Sequence, residues 1–167
     1  MGEFLKKAAL FLDRDGVINV DTGHLYLKED CTFILGIFEL VAAAKKLDMY
    51  VFVVTNQAGV ARGYYSEDDF FVLSKWMNEQ FGLHQGRVDE FFYCPHHPDF
   101  GNSLYKIDCN CSKPKPGMFE QAKQKYDIDL THSMMIGDKE SDLIASIAAG
   151  VKHNLFIGRF KSARGQK

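Results

Sequence analysis

No stretch of this chain is apolar for long enough to span a bilayer, and Met1-Gly2-Glu3-Phe4-Leu5-Lys6-Lys7 lacks the apolar region of a secretory signal. The expectation is a cytoplasmic protein with no membrane partner. An excess of charge of one sign is missing too: 20 Lys and Arg against 22 Asp and Glu leave a formal charge of -2, so nothing marks a nucleic-acid surface. Proline and cysteine are scarce, at four residues each. With no Gly/Ser/Pro-rich linker and no internal repeat to divide it, the chain reads as one domain over 1–167, and a monomer is expected. Its 46% hydrophobic content is enough for a sizeable core. In a reducing compartment the four cysteines are thiols or metal ligands, not disulfides.

What is present is an alternation of strand and helix patterns. Ala8–Leu12 is a short, continuously apolar run of the kind found in a buried parallel strand. Gly36–Leu47 carries Ile37, Leu40, Val41, Ala44 and Leu47 at helical spacing, which assigns them to the core. Tyr50–Val54 is a second strand. Ser66 followed by Glu67, Asp68 and Asp69 opens a helix through Phe70, Leu73, Met77 and Phe81, with Trp76 as packing. Val88–Tyr93 reads as a strand, Pro116–Tyr126 as a helix with proline in its first turn, and Ser133–Ile136 as a strand. Asp142–Ala149 is a short helix closed by Gly150, and Leu155–Ile157 a fifth strand. This order predicts an α/β fold, a Rossmann-like parallel sheet with helices on both faces. Residues 17–54 hold only a loop, one helix and one strand, which leaves no room for a large cap domain.

The polar clusters fall at strand ends. Asp13 and Asp15 follow the first strand, with Gly16 allowing a sharp turn; Thr55 and Asn56 follow the second; Asp138 follows the fourth. Alternation along extended backbone points Asp13 and Asp15 the same way and turns Arg14 aside. Like charges this close call for a cation, and hard carboxylate oxygens suggest Mg²⁺, with Asp138 as a third acid. Asp142 either buttresses that site or caps the helix it begins, with the cap favoured. A second cluster sits on one long loop, residues 94–112: Cys94, His96, His97, Cys109 and Cys111 offer three thiols and an imidazole, a zinc set that would staple a loop lacking regular structure. Spacing does not choose between the two histidines. Cys31, alone in sequence, reads as an inert buried thiol.

Asp13-Arg14-Asp15-Gly16-Val17, Thr55-Asn56, a lysine within Lys113-Pro114-Lys115-Pro116 and Gly137-Asp138-Lys139-Glu140-Ser141-Asp142, in this order, make the chain resemble the haloacid dehalogenase superfamily of phosphatases. The resemblance implies Asp13 as nucleophile, Asp15 as general acid and base, Thr55 and Asn56 as holders of the transferring phosphoryl group, and Lys113 as its counter-charge, with Lys115 as the alternative lysine. It implies a Mg²⁺ site of Asp13, Asp138 and the backbone carbonyl of Asp15. The Cys-x-His and Cys-x-Cys pattern narrows the resemblance to the branch holding heptose bisphosphatases and histidinol phosphatases, and selects Cys94, His96, Cys109 and Cys111 for zinc. In that branch Asp21, Thr22, Gly23, His24, Gln57, Ala58, Ser112 and Lys139 border a small phosphorylated sugar. The longer stretches look more like the heptose enzymes, so the expected reaction is removal of the C7 phosphate from a heptose 1,7-bisphosphate; a histidinol or broad sugar-phosphate phosphatase, or a zinc-stapled binding module with a dead site, are the alternatives. Heptose enzymes often carry arginine directly after the last zinc cysteine, where this chain has Ser112. That departure implies a relaxed or reversed preference for the β anomer, leaning toward α. Arg62 is left as a candidate cation for the distal phosphate, an ion-paired surface residue being the expected role, and the basic tail Arg159, Lys161, Arg164 and Lys167 is expected to be solvated.

Overall fold

A computed structural model describes residues 5–158, so the basic tail lies outside the described residues. Five strands form one parallel sheet in the order β3-β2-β1-β4-β5: β1 Ala9–Leu12, β2 Tyr50–Asn56, β3 Glu90–Cys94, β4 Met134–Gly137 and β5 His153–Phe156. Helices α1 Ile37–Lys46, α2 Glu67–Leu83, α3 Gly117–Lys125 and α4 Glu140–Ala149 connect or follow them. Strand alternation divides the core in two. Leu10, Leu12, Val51, Val53 and Ile136 pack with Ile37, Val41, Leu73, Met77 and Phe81 of α1 and α2. Ala9, Phe11, Phe52, Val54 and Met135 pack with Met118, Phe119, Ala122 and Ala145 of α3 and α4. The expected sheet covered on both faces is therefore present, and β1 at its centre is buried throughout.

Local signals explain the elements and their edges. Ser66 and Asp69 exchange hydrogen bonds in a capping box that opens α2, the Ser66 N–H donating to Asp69 Oδ2 at 2.8 Å. Gly36 and Gly150 adopt φ of 88° and 95° at the ends of α1 and α4, a left-handed region that suits glycine. Two core expectations on α1 are corrected. Leu47 is 73% exposed because the helix stops before it, and Leu40 lies at the rim; Phe38 packs inward instead, against Phe33 and Phe81. The fifth strand begins two residues earlier than expected and lies at the sheet edge, which leaves Leu155 and Phe156 exposed. Pro116 precedes α3 rather than sitting in its first turn.

The chain runs from β1 outward through β2 to β3, then returns to place β4 on the other side of β1. The crevice at the carboxyl ends of β1 and β4 is the switch point where open α/β sheets bind ligands.

Candidate active site

Asp13 leaves the end of β1 and Asp138 the end of β4, neighbours in register through Leu12 and Ile136. Their proximity depends on two glycines. A Cβ at Gly16 would overlap the Asp138 carboxylate, and one at Gly137 would overlap the side chain of Asp142. Lys113 reaches the same place from the loop before α3. Its Nζ donates to Asp13 Oδ1 at 2.9 Å and to the Val54 carbonyl at 2.7 Å, and lies 2.6 Å from Asp142 Oδ1. Three acceptors thus satisfy the three N–H donors of a lysine that is only 6% exposed. Lys115, by contrast, is exposed and pairs with Asp108, so geometry separates two lysines that spacing does not. Asn56 holds Lys113 in register: its Nδ2 donates to the Lys113 carbonyl and its Oδ1 accepts the Lys113 N–H.

Asp13, Asp138 and Asp142 offer carboxylate oxygens within 4.8 Å of one another. The ammonium groups of Lys113 and, beside it in the same cavity, Lys139 do not balance these three acids and Asp15. Burial pushes Asp13 up to about 7, Lys113 opposing and Asp142 adding to the rise, while burial also raises Asp138. Burial works against the Lys113 charge, but Asp13 and Asp142 outweigh it and hold its pKa up. The Oδ1 of Asp138 is buried with no hydrogen-bond partner. A hard divalent cation such as Mg²⁺ fits this set, since it takes few protein carboxylates and supplies the missing charge. Asp142 does both things the sequence allowed it: its Oδ2 accepts the Lys139 N–H at the start of α4 while its Oδ1 faces Lys113.

Asp13 and Asp15 line one cavity of about 50 Å³ together with Asn56, Lys113, Lys139, Ser141 and Asp142. Arg14 is turned away from it, yet it is 1% exposed and works from behind. Its Nε and Nη2 donate to the Asp15 carboxylate at 3.1–3.2 Å, and Nη2 also donates to the Leu25 carbonyl at 2.9 Å. Asn19 adds a donor to Asp15 Oδ1 at 3.0 Å. Gln57 lies beneath the site, 2% exposed, donating from Nε2 to Thr55 Oγ1 at 2.8 Å and to Asp15 Oδ2 at 3.3 Å. Asp21, Thr22, Gly23 and His24 form an exposed turn, in which Asp21 Oδ1 accepts the Gly23 N–H and Oδ2 lies 3.7 Å from Lys139 Nζ. His24 packs on Tyr64. Ala58 and Ser112 are half-buried. Arg62 corrects its expectation: its guanidinium lies 4.0 Å over the Phe100 ring, and among the described residues it has no carboxylate within ion-pair distance.

The loop after β3 gathers Cys94, His96, Cys109 and Cys111, whose ligand atoms lie within 4.8 Å of one another. Sγ–Sγ separations of 2.8–3.3 Å and approaches of His96 Nδ1 to Cys94 and Cys111 at 3.8 and 3.4 Å point all four groups at one place. His97 is turned elsewhere, its Nδ1 accepting the Asp99 N–H. The contact between Cys94 and Cys111 draws the Cys111 thiol down and pushes that of Cys94 up, so the pair shares a proton that a thiolate-binding metal would displace. Glu67 at the start of α2 ties the loop down by accepting from Tyr93 at 2.5 Å and Tyr105 at 2.8 Å. Cys31 sits apart against the core, its thiol pushed up to about 11 by burial.

Residues 110–156 match the family model for HAD-hydrolase-like proteins. The chain is 50% identical over 153 residues to the D-glycero-alpha-D-manno-heptose-1,7-bisphosphate 7-phosphatase of Burkholderia mallei, covering 92% of this chain and 81% of that protein. The family is thereby decided. This chain belongs to the HAD-like heptose-bisphosphate 7-phosphatases. The phosphatase is also 45% identical to the D-glycero-beta-D-manno-heptose-1,7-bisphosphate 7-phosphatase of Vibrio cholerae, over 92% of this chain and 82% of that one. Its fold overlays that of the D,D-heptose 1,7-bisphosphate phosphatase of B. bronchiseptica, solved with magnesium and phosphate, at a TM-score of 0.77 and 33% identity, over 86% of this chain and 76% of that one. In this phosphatase the site contains two residues that the sequence left unassigned. Ser141 and Arg14 both flank aspartates singled out for chemistry, but their roles depend on how α4 begins and on what lies behind β1.

Proposed function

We propose that this phosphatase removes the C7 phosphate of D-glycero-D-manno-heptose 1,7-bisphosphate through an aspartyl-phosphate on Asp13. The supporting observation is the convergence of Asp13, Lys113 and Asp142 on one strand-end cavity, with the Asp138 carboxylate beside those of Asp13 and Asp142, in a chain 50% identical to an enzyme named for that substrate. The carboxylate of Asp13 attacks phosphorus in line while the bond to the C7 oxygen breaks. Asp15 gives its proton to the departing oxygen, then takes one from the water that splits the acyl phosphate. Lys113 offsets charge on the phosphoryl oxygens, Thr55 donates its hydroxyl proton to one of them, and Asn56 keeps Lys113 in place while offering its main chain. Asp13, Asp138 and the Asp15 carbonyl would hold Mg²⁺, with Asp142 in reserve, and the ion would supply the positive charge that an anionic nucleophile needs to approach an anionic phosphate.

The sugar would lie over the turn of Asp21, Thr22, Gly23 and His24, with Ala58, Ser112 and Lys139 at its edges and Gln57 supporting from below. Four protein ligands, Cys94, His96, Cys109 and Cys111, suit a structural Zn²⁺ that leaves no open position for water and shapes the wall of the site. The protein works as one domain, as a cytoplasmic monomer. With Ser112 in place of arginine, the α anomer is preferred; the name of the 50% identical relative specifies α and that of the 45% identical relative β. Turnover of a generic aryl phosphate tests the chemistry. It should require Mg²⁺, stop with a chelator and fall roughly a thousandfold or more in Asp13→Asn, which keeps volume but removes the nucleophile. Activity of that variant within tenfold of wild type, deamidation excluded, would remove Asp13 from this role.

A further inference from the structure

Tyr65 belongs to no motif, yet its buried phenol is one hydrogen bond from a side chain that contacts two residues of the reaction. It is 7% exposed, with its ring stacked on Tyr26 at 5.5 Å and 11° and passing over Gly59, where a Cβ would overlap it. Its O–H donates to Gln57 Oε1, and the other end of that amide donates to Thr55 Oγ1 and to Asp15 Oδ2. Burial pushes the phenol up to about 12, so it keeps the proton it donates.

A primary amide can be turned over at almost no cost in shape, and what it offers then reverses. As built, Nε2 gives one hydrogen to Thr55 Oγ1, so the hydroxyl accepts from Gln57 and its own hydrogen is free for a phosphoryl oxygen. Turned over, Oε1 would take the Thr55 hydrogen for itself and would set a carbonyl against the Asp15 carboxylate. We infer that Tyr65 is a positioning residue that, through Gln57, fixes the direction of the Thr55 hydroxyl and keeps its proton aimed at the transferring phosphoryl group. This inference rests on the phosphatase reading above and adds to it a residue remote from the reacting atoms.

The test is a pair of double-mutant cycles with an aryl phosphate and Mg²⁺. Tyr65→Phe should lower kcat about tenfold with KM within about twofold, because the hydroxyl contact is strongest where phosphoryl charge is redistributed. The loss should shrink to less than about twofold in a Thr55→Val background, and likewise in Gln57→Leu, since neither offers the hydroxyl or the amide through which Tyr65 acts. Equal losses in all backgrounds, a change in KM alone or no loss at all would overturn the inference while leaving the phosphatase standing. Should Tyr65→Phe fail to fold, Gln57→Leu against Thr55→Val closes the same cycle, and additivity there overturns it. An inactive wild type would instead overturn the phosphatase reading and the inference with it.

Discussion

Lys113 sits 2.9 Å from Asp13 and 2.6 Å from Asp142, and it is the buried cation of the site, with Lys139 as a second at its edge. Without a metal ion the cluster is under-neutralised, which makes stability depend on pH in a definite direction. Asp13 is pushed up to about 7 from an ordinary 3.8, so between those values the folded protein binds more protons than the unfolded chain. Stability from this group is then present at about pH 4 and is lost as pH rises through 7. In chelator, Asp13→Asn should melt about 4 °C or more above wild type at pH 8, the gap closing toward pH 4. A variant less stable than wild type at pH 8 would mean that pairing with Lys113 outweighs burial. Ser112 gives a second prediction at this scale. A guanidinium contact to the distal phosphate is worth roughly 1.5–3 kcal/mol, so Ser112→Arg should shift the α/β ratio of kcat/KM toward β by about tenfold or more. An unchanged ratio with both pure anomers would remove Ser112 from specificity. Asp13, Asp15, Thr55 and Asp138 were legible because each ends an apolar run; Arg14 and Gln57 were not legible in their structural roles, since what a buried side chain meets behind the sheet leaves no pattern in sequence.

Among the elements, the loop from Cys94 to Cys111 depends most on a ligand. A bridge between His97 and Lys106 and a turn at 102–106 order its middle, Glu67 tethers it at Tyr105, and its four thiol and imidazole groups crowd together at the other end. Metal analysis of protein purified without chelator should find one Zn²⁺ per chain. Cys109→Ser should speed hydrogen exchange over residues 94–112 and raise KM, with the strands unaffected. A loop equally protected in the variant would show that Glu67 and the backbone hold it without metal. That Cys94, His96, Cys109 and Cys111 gather at one place could be read from sequence, because metal chemistry restricts residue types and spacing. Strand ends could not be read so closely. The apolar run Leu155–Ile157 suggests where β5 lies but not its bounds, His153–Phe156, or its edge position, because hydrophobicity alone does not distinguish an edge strand from a central one.

At the scale of the whole molecule, the sheet order places β1 and β4 side by side, and the site follows from that adjacency. Among the described residues no domain is inserted between β1 and β2, where only a loop with a short 3-10 turn at Lys28–Asp30 and helix α1 intervene. The cavity lined by Asp13 and Asp15 holds about 50 Å³, whereas the hollow bounded by Gly16, Asp21 and Asp138 holds about 650 Å³. No helix among the described residues is long and apolar enough to cross a membrane. Regiospecific hydrolysis of a sugar bisphosphate is tested by phosphorus NMR of each pure anomer of D-glycero-D-manno-heptose 1,7-bisphosphate incubated with the enzyme and Mg²⁺. The C7 resonance should vanish as inorganic phosphate grows while the C1 phosphate persists, faster for the α anomer. Loss of the C1 phosphate first, or two inert anomers beside rapid hydrolysis of histidinol phosphate, would contradict the account.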